Sequence, residues 1–127
     1  MTIIGHGVDI IEVPRIAEMI QSHGEAFWAR VFTPAERAYC EASRKRSHEH
    51  AAARFAAKEA VLKCLGTGWR NGIAWTDVEV ANEPSGRPLI RISGEAAKVA
   101  ASMGITGWSV SLSHTDKHAV ASVIATG

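Results

Sequence analysis

Apolar and polar positions set the first element. "TIIGHGVDII" is rich in β-branched residues and of strand length. A two-residue period puts Gly5, Gly7 and Asp9 on one pleat face, where the glycines leave space beside the carboxylate. The period then lengthens. In "VPRIAEMIQSH" Ile16, Met19 and Ile20 form a helical stripe, Pro14 suits the first turn and Gly24 ends the run. "TPAERAYCEAS" predicts a second helix from its boundary, with Thr33 as N-cap, Pro34 in the first position and Glu36 three residues after the cap. Beyond the basic link "SRKRSHEH", an alanine-rich run predicts the main helix from roughly His50 to Leu65, closed by Gly66, because glycine tolerates a left-handed C-terminal position. "DVEVAN", "PLIRIS", "WSVSLSHT" and "AVASVIA" predict strands, "EPSGRP" and "TDKH" turns, and "GEAAKVAASMG" a short helix. This order predicts an α+β fold, with helices packed against a mainly antiparallel sheet.

Composition narrows the setting. A chain of 127 residues, 46% hydrophobic and 21% charged, suits one folded domain over 1–127 and is too balanced for disorder. A net charge of +1 excludes a strong bulk field, so an acidic partner must be met by a local basic cluster. Neither nucleic acid nor a membrane is an expected partner: no segment approaches the ~18 apolar residues of a membrane span. Cys40 and Cys64 form no CxxC pair and are expected to be reduced thiols. The expected location is the cytoplasm.

Candidate chemistry begins at Asp9. An unpaired carboxylate inside an apolar strand is costly to bury, so Asp9 either accepts local backbone hydrogen bonds or starts the next helix, or else holds a metal ion. On a helical wheel Ala52, Ala56, Glu59 and Lys63 fall within about 60°, and the alanines make that stripe low enough for a ligand to approach. Glu59 and Lys63 are also simply a four-residue ion pair of the kind found on solvated helices. Arg44, Lys45, Arg46 and Arg54 form either a solvated basic link or a phosphate site. The "GTG" at Gly66 to Gly68 follows a helix, whereas a phosphate loop precedes one, so capping explains most of it. His114 ends a strand on the face of Trp108, Val110 and Leu112, at the core edge. His6, His48, His50 and His118 lack zinc-ligand spacing. Lys58 falls between Phe55 and Leu62 on the apolar arc and is expected to snorkel.

Three segments, "GHGVDIIEVPRI", "ARFAAKEAVLKCLGTG" and "VSLSHT", occur in this order and at these separations. Together they resemble the bacterial holo-acyl-carrier-protein synthases, the short single-domain type of 4′-phosphopantetheinyl transferase, over nearly the whole chain. The resemblance implies transfer of 4′-phosphopantetheine from coenzyme A to a serine of apo acyl carrier protein, releasing adenosine 3′,5′-bisphosphate, in support of fatty acid biosynthesis. It implies that Asp9 and Glu59 hold Mg²⁺ on the coenzyme A pyrophosphate, with Lys63 on the same oxygens and Glu59 as candidate base. It implies coenzyme A contacts from Arg46 and Arg54 to the 3′-phosphate, with His114, Thr115 and Gly66 nearby, in a cleft between subunits of a homotrimer. Arg15 carries over as the contact to the carrier protein. Here the first helix departs from the family pattern of several basic residues: Arg15 stands alone, Glu18 opposes it, and Arg30 is a candidate helper. Two rival classes share these residues, a noncatalytic nucleotide- or carrier-binding module and a magnesium-dependent phosphohydrolase.

Overall fold

The computed structural model describes residues 1–69 and 72–127. Along the chain run β1 (Ile3–Glu12), α1 (Val13–His23), α2 (Glu25–Val31), α3 (Pro34–Glu41), α4 (Ser47–Leu65), β2 (Val78–Asn82), β3 (Pro88–Ile92), α5 (Gly94–Ser102), β4 (Gly107–His114) and β5 (His118–Thr126). Short 3₁₀ turns occupy Arg44–Arg46 and Trp75–Asp77. The fold is α+β. Helix α2 is not among the elements expected from the pattern, and α4 begins earlier than expected, inside the basic link. The capping box is formed as expected: the Thr33 hydroxyl accepts the Glu36 amide at 3.2 Å, and the Thr33 amide donates to Glu36 Oε1 at 2.9 Å.

The sheet has the order β1-β5-β4, antiparallel throughout, with β2-β3 as a separate hairpin. Gly5, Gly7, Asp9 and Ile11 face Ala125, Val123, Ala121 and Ala119 of β5, which in turn face Trp108, Val110, Leu112 and His114 of β4. This is the sheet's inner face, and α4 packs on it while its other sides meet α1, α3 and β2. A helix enclosed on several sides must be apolar on most of its circumference. Accordingly Ala51, Ala52, Ala53, Ala56, Ala57 and Ala60 are at most 3% exposed. Two sequence expectations change here. Ala52 and Ala56 belong to the core and admit no ligand. The space left by the glycines is filled by α4 itself: a Cβ on Gly7 would lie 2.0 Å from the Ala60 carbonyl oxygen, and one on Gly5 2.9 Å from that of Cys64.

Lys58 does not snorkel. It is fully buried, and its ammonium donates to Glu36 Oε1 at 2.8 Å, to the Trp75 carbonyl at 3.1 Å and to the Val78 carbonyl. All three of its donors are therefore used. Glu36, 1% exposed, also accepts the Val80 amide at 2.8 Å, so the capping-box carboxylate ties α3 to α4 and β2. Burial disfavours the charged lysine and lowers its pKa, and Glu36 opposes that. Removing one member of such a pair strands the other charge. Lys58→Met should therefore lose about 3–5 kcal/mol of stability in denaturant unfolding, whereas a loss below about 1 kcal/mol would mean that the lysine contributes only its packed stem.

Candidate active site

Asp9 sits on β1 two residues beyond the Gly7 contact, where α4 no longer covers the strand completely, and its side chain is 18% exposed. Lys63, one turn from the end of α4, donates to Asp9 Oδ1 at 3.2 Å and to the Val8 carbonyl at 2.8 Å. Since β1 is an edge strand, that carbonyl has no strand partner on its outer side, and the lysine satisfies it. The four-residue spacing thus misleads: Lys63 pairs with Asp9 across the helix–strand contact and not with Glu59. The hydrogen bond that Glu59 does accept comes from Trp69, whose Nε1 donates to Oε1 at 3.4 Å. Burial raises the Glu59 pKa, with the Asp9 charge adding to the rise. The Trp69 hydrogen bond and the positive charges of Lys63 and Arg15 act against it.

Asp9, Glu59, Lys63 and Arg15 therefore share one neighbourhood. No group of three or more His, Cys, Asp or Glu residues is clustered as for a metal among the described residues. A pair of carboxylates suits a hard cation that completes its shell with water and phosphate oxygens, as magnesium does. Glu59 also lines a cleft of about 440 Å³ between α1, α2 and α4, with Arg15, His23 and Arg30 as its basic members and Met19, Phe27, Phe55 and Trp75 as its apolar floor. Trp75 stacks on Phe55 at 4.8 Å and meets Trp69 at 3.8 Å, so an aromatic column runs from the cleft floor to Glu59.

A second cleft, also about 440 Å³, is lined by Tyr39, His50, Arg54, Asn82, Arg87 and His114, among others. Arg54 is 3% exposed, lies over the Tyr39 ring at 3.8 Å and donates to Asn82 Oδ1 at 2.5 Å, while its buried Nε has no partner. His114 Nδ1 bonds Glu49 Oε1 at 3.1 Å, and its ring meets the edge of His50 at 5.8 Å. Burial, then the Arg54 charge, lowers the His50 pKa, and exposed Arg46 adds to the effect from the neighbouring turn. Of the expected coenzyme A contacts, Arg46, Lys63, Thr115 and Gly66 do not line either cleft. The Thr115 hydroxyl accepts the amides of Lys117 and His118 at the β4–β5 turn, and Gly66 caps α4 at φ 72°. Arg54 and Glu59 are five residues apart, about 140° around the helix, and none of the described residues lines both clefts. Trp69, Trp75, Tyr39, Asn82 and Arg87 escape sequence reasoning. Trp69 directly follows the "GTG" cap and Arg87 lies in the "EPSGRP" turn, both of which read as chain punctuation.

The model of the 4′-phosphopantetheinyl transferase superfamily matches residues 5–123. A holo-acyl-carrier-protein synthase of Koribacter versatilis is 52% identical over 122 residues, 96% of this chain and 97% of that protein. The crystal structure of the Neisseria meningitidis holo-acyl-carrier-protein synthase superposes with a TM-score of 0.88 at 30% identity, covering 99% of this chain and all of that one. A Bacillus anthracis holo-acyl-carrier-protein synthase in complex with CoA (3′,5′-ADP) gives a TM-score of 0.80 at 35% identity, over 98% and 97% of the two chains. The chain belongs to the 4′-phosphopantetheinyl transferase superfamily.

The raised pKa of Glu59 has a stability consequence. When the folded pKa exceeds the unfolded one, the folded state binds the proton more tightly, so the group favours folding at low pH and that stability is lost as pH rises through the folded value. Glu59→Gln should thus be neutral or slightly stabilising at about pH 7, and the gain should vanish at about pH 4. Thermal unfolding at both pH values checks this; a clear destabilisation at neutral pH would show that the glutamate charge supports the fold.

Proposed function

We propose that this chain transfers the 4′-phosphopantetheine group of coenzyme A to a serine hydroxyl of an apo acyl carrier protein, releasing adenosine 3′,5′-bisphosphate, in the cytoplasm and in support of fatty acid synthesis. The observation that carries the proposal is the meeting of Asp9, Glu59 and Lys63, with Glu59 also lining a cleft whose basic side chains suit an acidic partner. Relatives named holo-acyl-carrier-protein synthase, at up to 52% identity over nearly the whole chain, support the same reaction.

In this reading Asp9 and Glu59 hold Mg²⁺ beside the donor's pyrophosphate; when bound, the ion neutralises charge on the attacked phosphate and on the leaving nucleotide. Lys63 adds a fixed positive charge on the same side, held in place by its bonds to Asp9 and Val8. The serine oxygen of the carrier forms the new P–O bond as the pyrophosphate P–O bond breaks. The hydroxyl proton passes to Glu59, directly or through a water. Arg15, with Arg30 on the facing helix, meets the acidic surface of the carrier. Two basic side chains from two helices ease the scarcity seen along the first helix alone.

The second cleft supports a shared site. Buried Arg54 with an unused Nε, together with Arg46 and His114, suits the 3′-phosphate of coenzyme A. It opens on the other side of α4 from Glu59, so we assign these contacts to a neighbouring protomer of a homotrimer. The outer face of the sheet supports such assembly, with Val8 49% and Ile10 62% exposed beside partly exposed Val120 and Ile124. Sedimentation of the active protein as a monomer would refute it.

Incubation with apo carrier protein, coenzyme A and Mg²⁺ should raise the carrier's intact mass by one phosphopantetheine. Lys63→Met should slow that transfer ~10²-fold or more while changing stability by no more than about 1 kcal/mol. An unmodified carrier with free adenosine 3′,5′-bisphosphate in solution would identify a hydrolase instead.

A further inference from the structure

Glu59 faces a difficulty that its neighbours do not remove. It is partly buried beside the Asp9 carboxylate, and the lysine one turn along gives its ammonium to Asp9 and the Val8 carbonyl. A carboxylate in this position gains by turning toward solvent, so its direction must be held by a neighbour. The group that engages it is an indole: Trp69 Nε1 donates to Oε1 at 3.4 Å, and Oε2 takes no hydrogen bond from any described residue. The indole is itself fixed, because its ring lies 3.8 Å from that of Trp75, which stacks on Phe55 of α4 at 4.8 Å. Helix α4 thus supplies both Glu59 and, through Phe55 and Trp75, the support for the residue that orients it.

We infer that Trp69 is a positioning residue for Glu59, holding Oε1 with a neutral donor so that the carboxylate keeps its orientation toward a divalent cation. The chemistry of the donor matters. Indole N–H donates and cannot accept, so it selects an acceptor oxygen. Being uncharged, it does not compete with a cation for the site as a lysine or arginine would. An outer hydrogen-bond partner of this kind orients the ligand, and its loss typically costs about 10–100-fold in metal affinity. The inference rests on the reading that Asp9 and Glu59 hold Mg²⁺.

The test is calorimetric titration of Mg²⁺ into the full-length protein carrying coenzyme A, without carrier protein, so that binding is read apart from turnover. Trp69→Phe keeps an aromatic ring against Trp75 and removes the N–H. It should weaken Mg²⁺ binding roughly 10-fold while the thermal midpoint stays near that of the parent. Trp69→His restores a ring N–H on a smaller ring, and should recover much of the affinity despite lower stability. Trp69→Phe binding Mg²⁺ as the parent does, or Trp69→His binding no better than Trp69→Phe, would overturn the inference. Glu59→Gln separates the two levels: if it abolishes binding and Trp69→Phe does not weaken it, only the role of Trp69 fails. If Glu59→Gln binds normally, the two-carboxylate site fails with it.

Discussion

Everything in this molecule depends on one close approach, of β1 to α4 at Gly7. The strand and helix meet backbone to backbone: the place of a Gly7 Cβ is already filled by the Ala60 carbonyl. Only glycine fits there, and only small side chains on α4 let the helix settle into the sheet without a gap. The consequence is positional. Two residues beyond Gly7 the strand carries Asp9, and one residue before Ala60 the helix carries Glu59, so a packing contact brings two carboxylates from distant parts of the sequence into one neighbourhood. Each of them is costly there without a counter-charge, and of the two it is Asp9 that accepts a hydrogen bond from the Lys63 ammonium. The proposed Mg²⁺ would offset that cost.

The opposite side of α4 is secured differently. Lys58 and Glu36 form a fully buried ion pair whose remaining lone pairs and protons are taken by backbone groups of the 3₁₀ turn and β2. This arrangement stabilises little relative to an apolar core of equal volume. It does fix the rotation of α4 about its axis, because rotation would strand both charges. With Gly7 setting the depth of the helix and Lys58 its rotation, the directions of Glu59 and Arg54 are no longer free. One opens toward the cleft of Arg15 and Arg30, the other toward the cleft of Tyr39 and His114.

Much of this is legible in the sequence where the signal is local. The stripe of Ile16, Met19 and Ile20, the capping box at Thr33 and Glu36, and the alternation in β4 and β5 each depend on neighbours within a few residues, and each forms as expected. The losses come where a partner is remote. The ammonium of Lys58 finds Glu36, 22 residues earlier, and that of Lys63 finds Asp9, 54 residues earlier, so helical periodicity could indicate neither. Helical spacing even pointed Lys63 at the wrong carboxylate. The two-residue period does place Gly7 on the face of Asp9, but a missing side chain does not say whether a ligand or a helix fills the space. Trp69 and Trp75 were invisible because an aromatic residue in a loop becomes part of a site only through what it stacks on.

The contact at Gly7 is open to one direct measurement, the free energy of unfolding of Gly7→Ala in denaturant. A methyl group 2.0 Å from the Ala60 oxygen forces the strand and helix apart along their length, and the expected loss is at least about 3 kcal/mol. A Gly7→Ala protein within about 0.5 kcal/mol of the parent would contradict the claim that this close approach holds the fold and its carboxylates together.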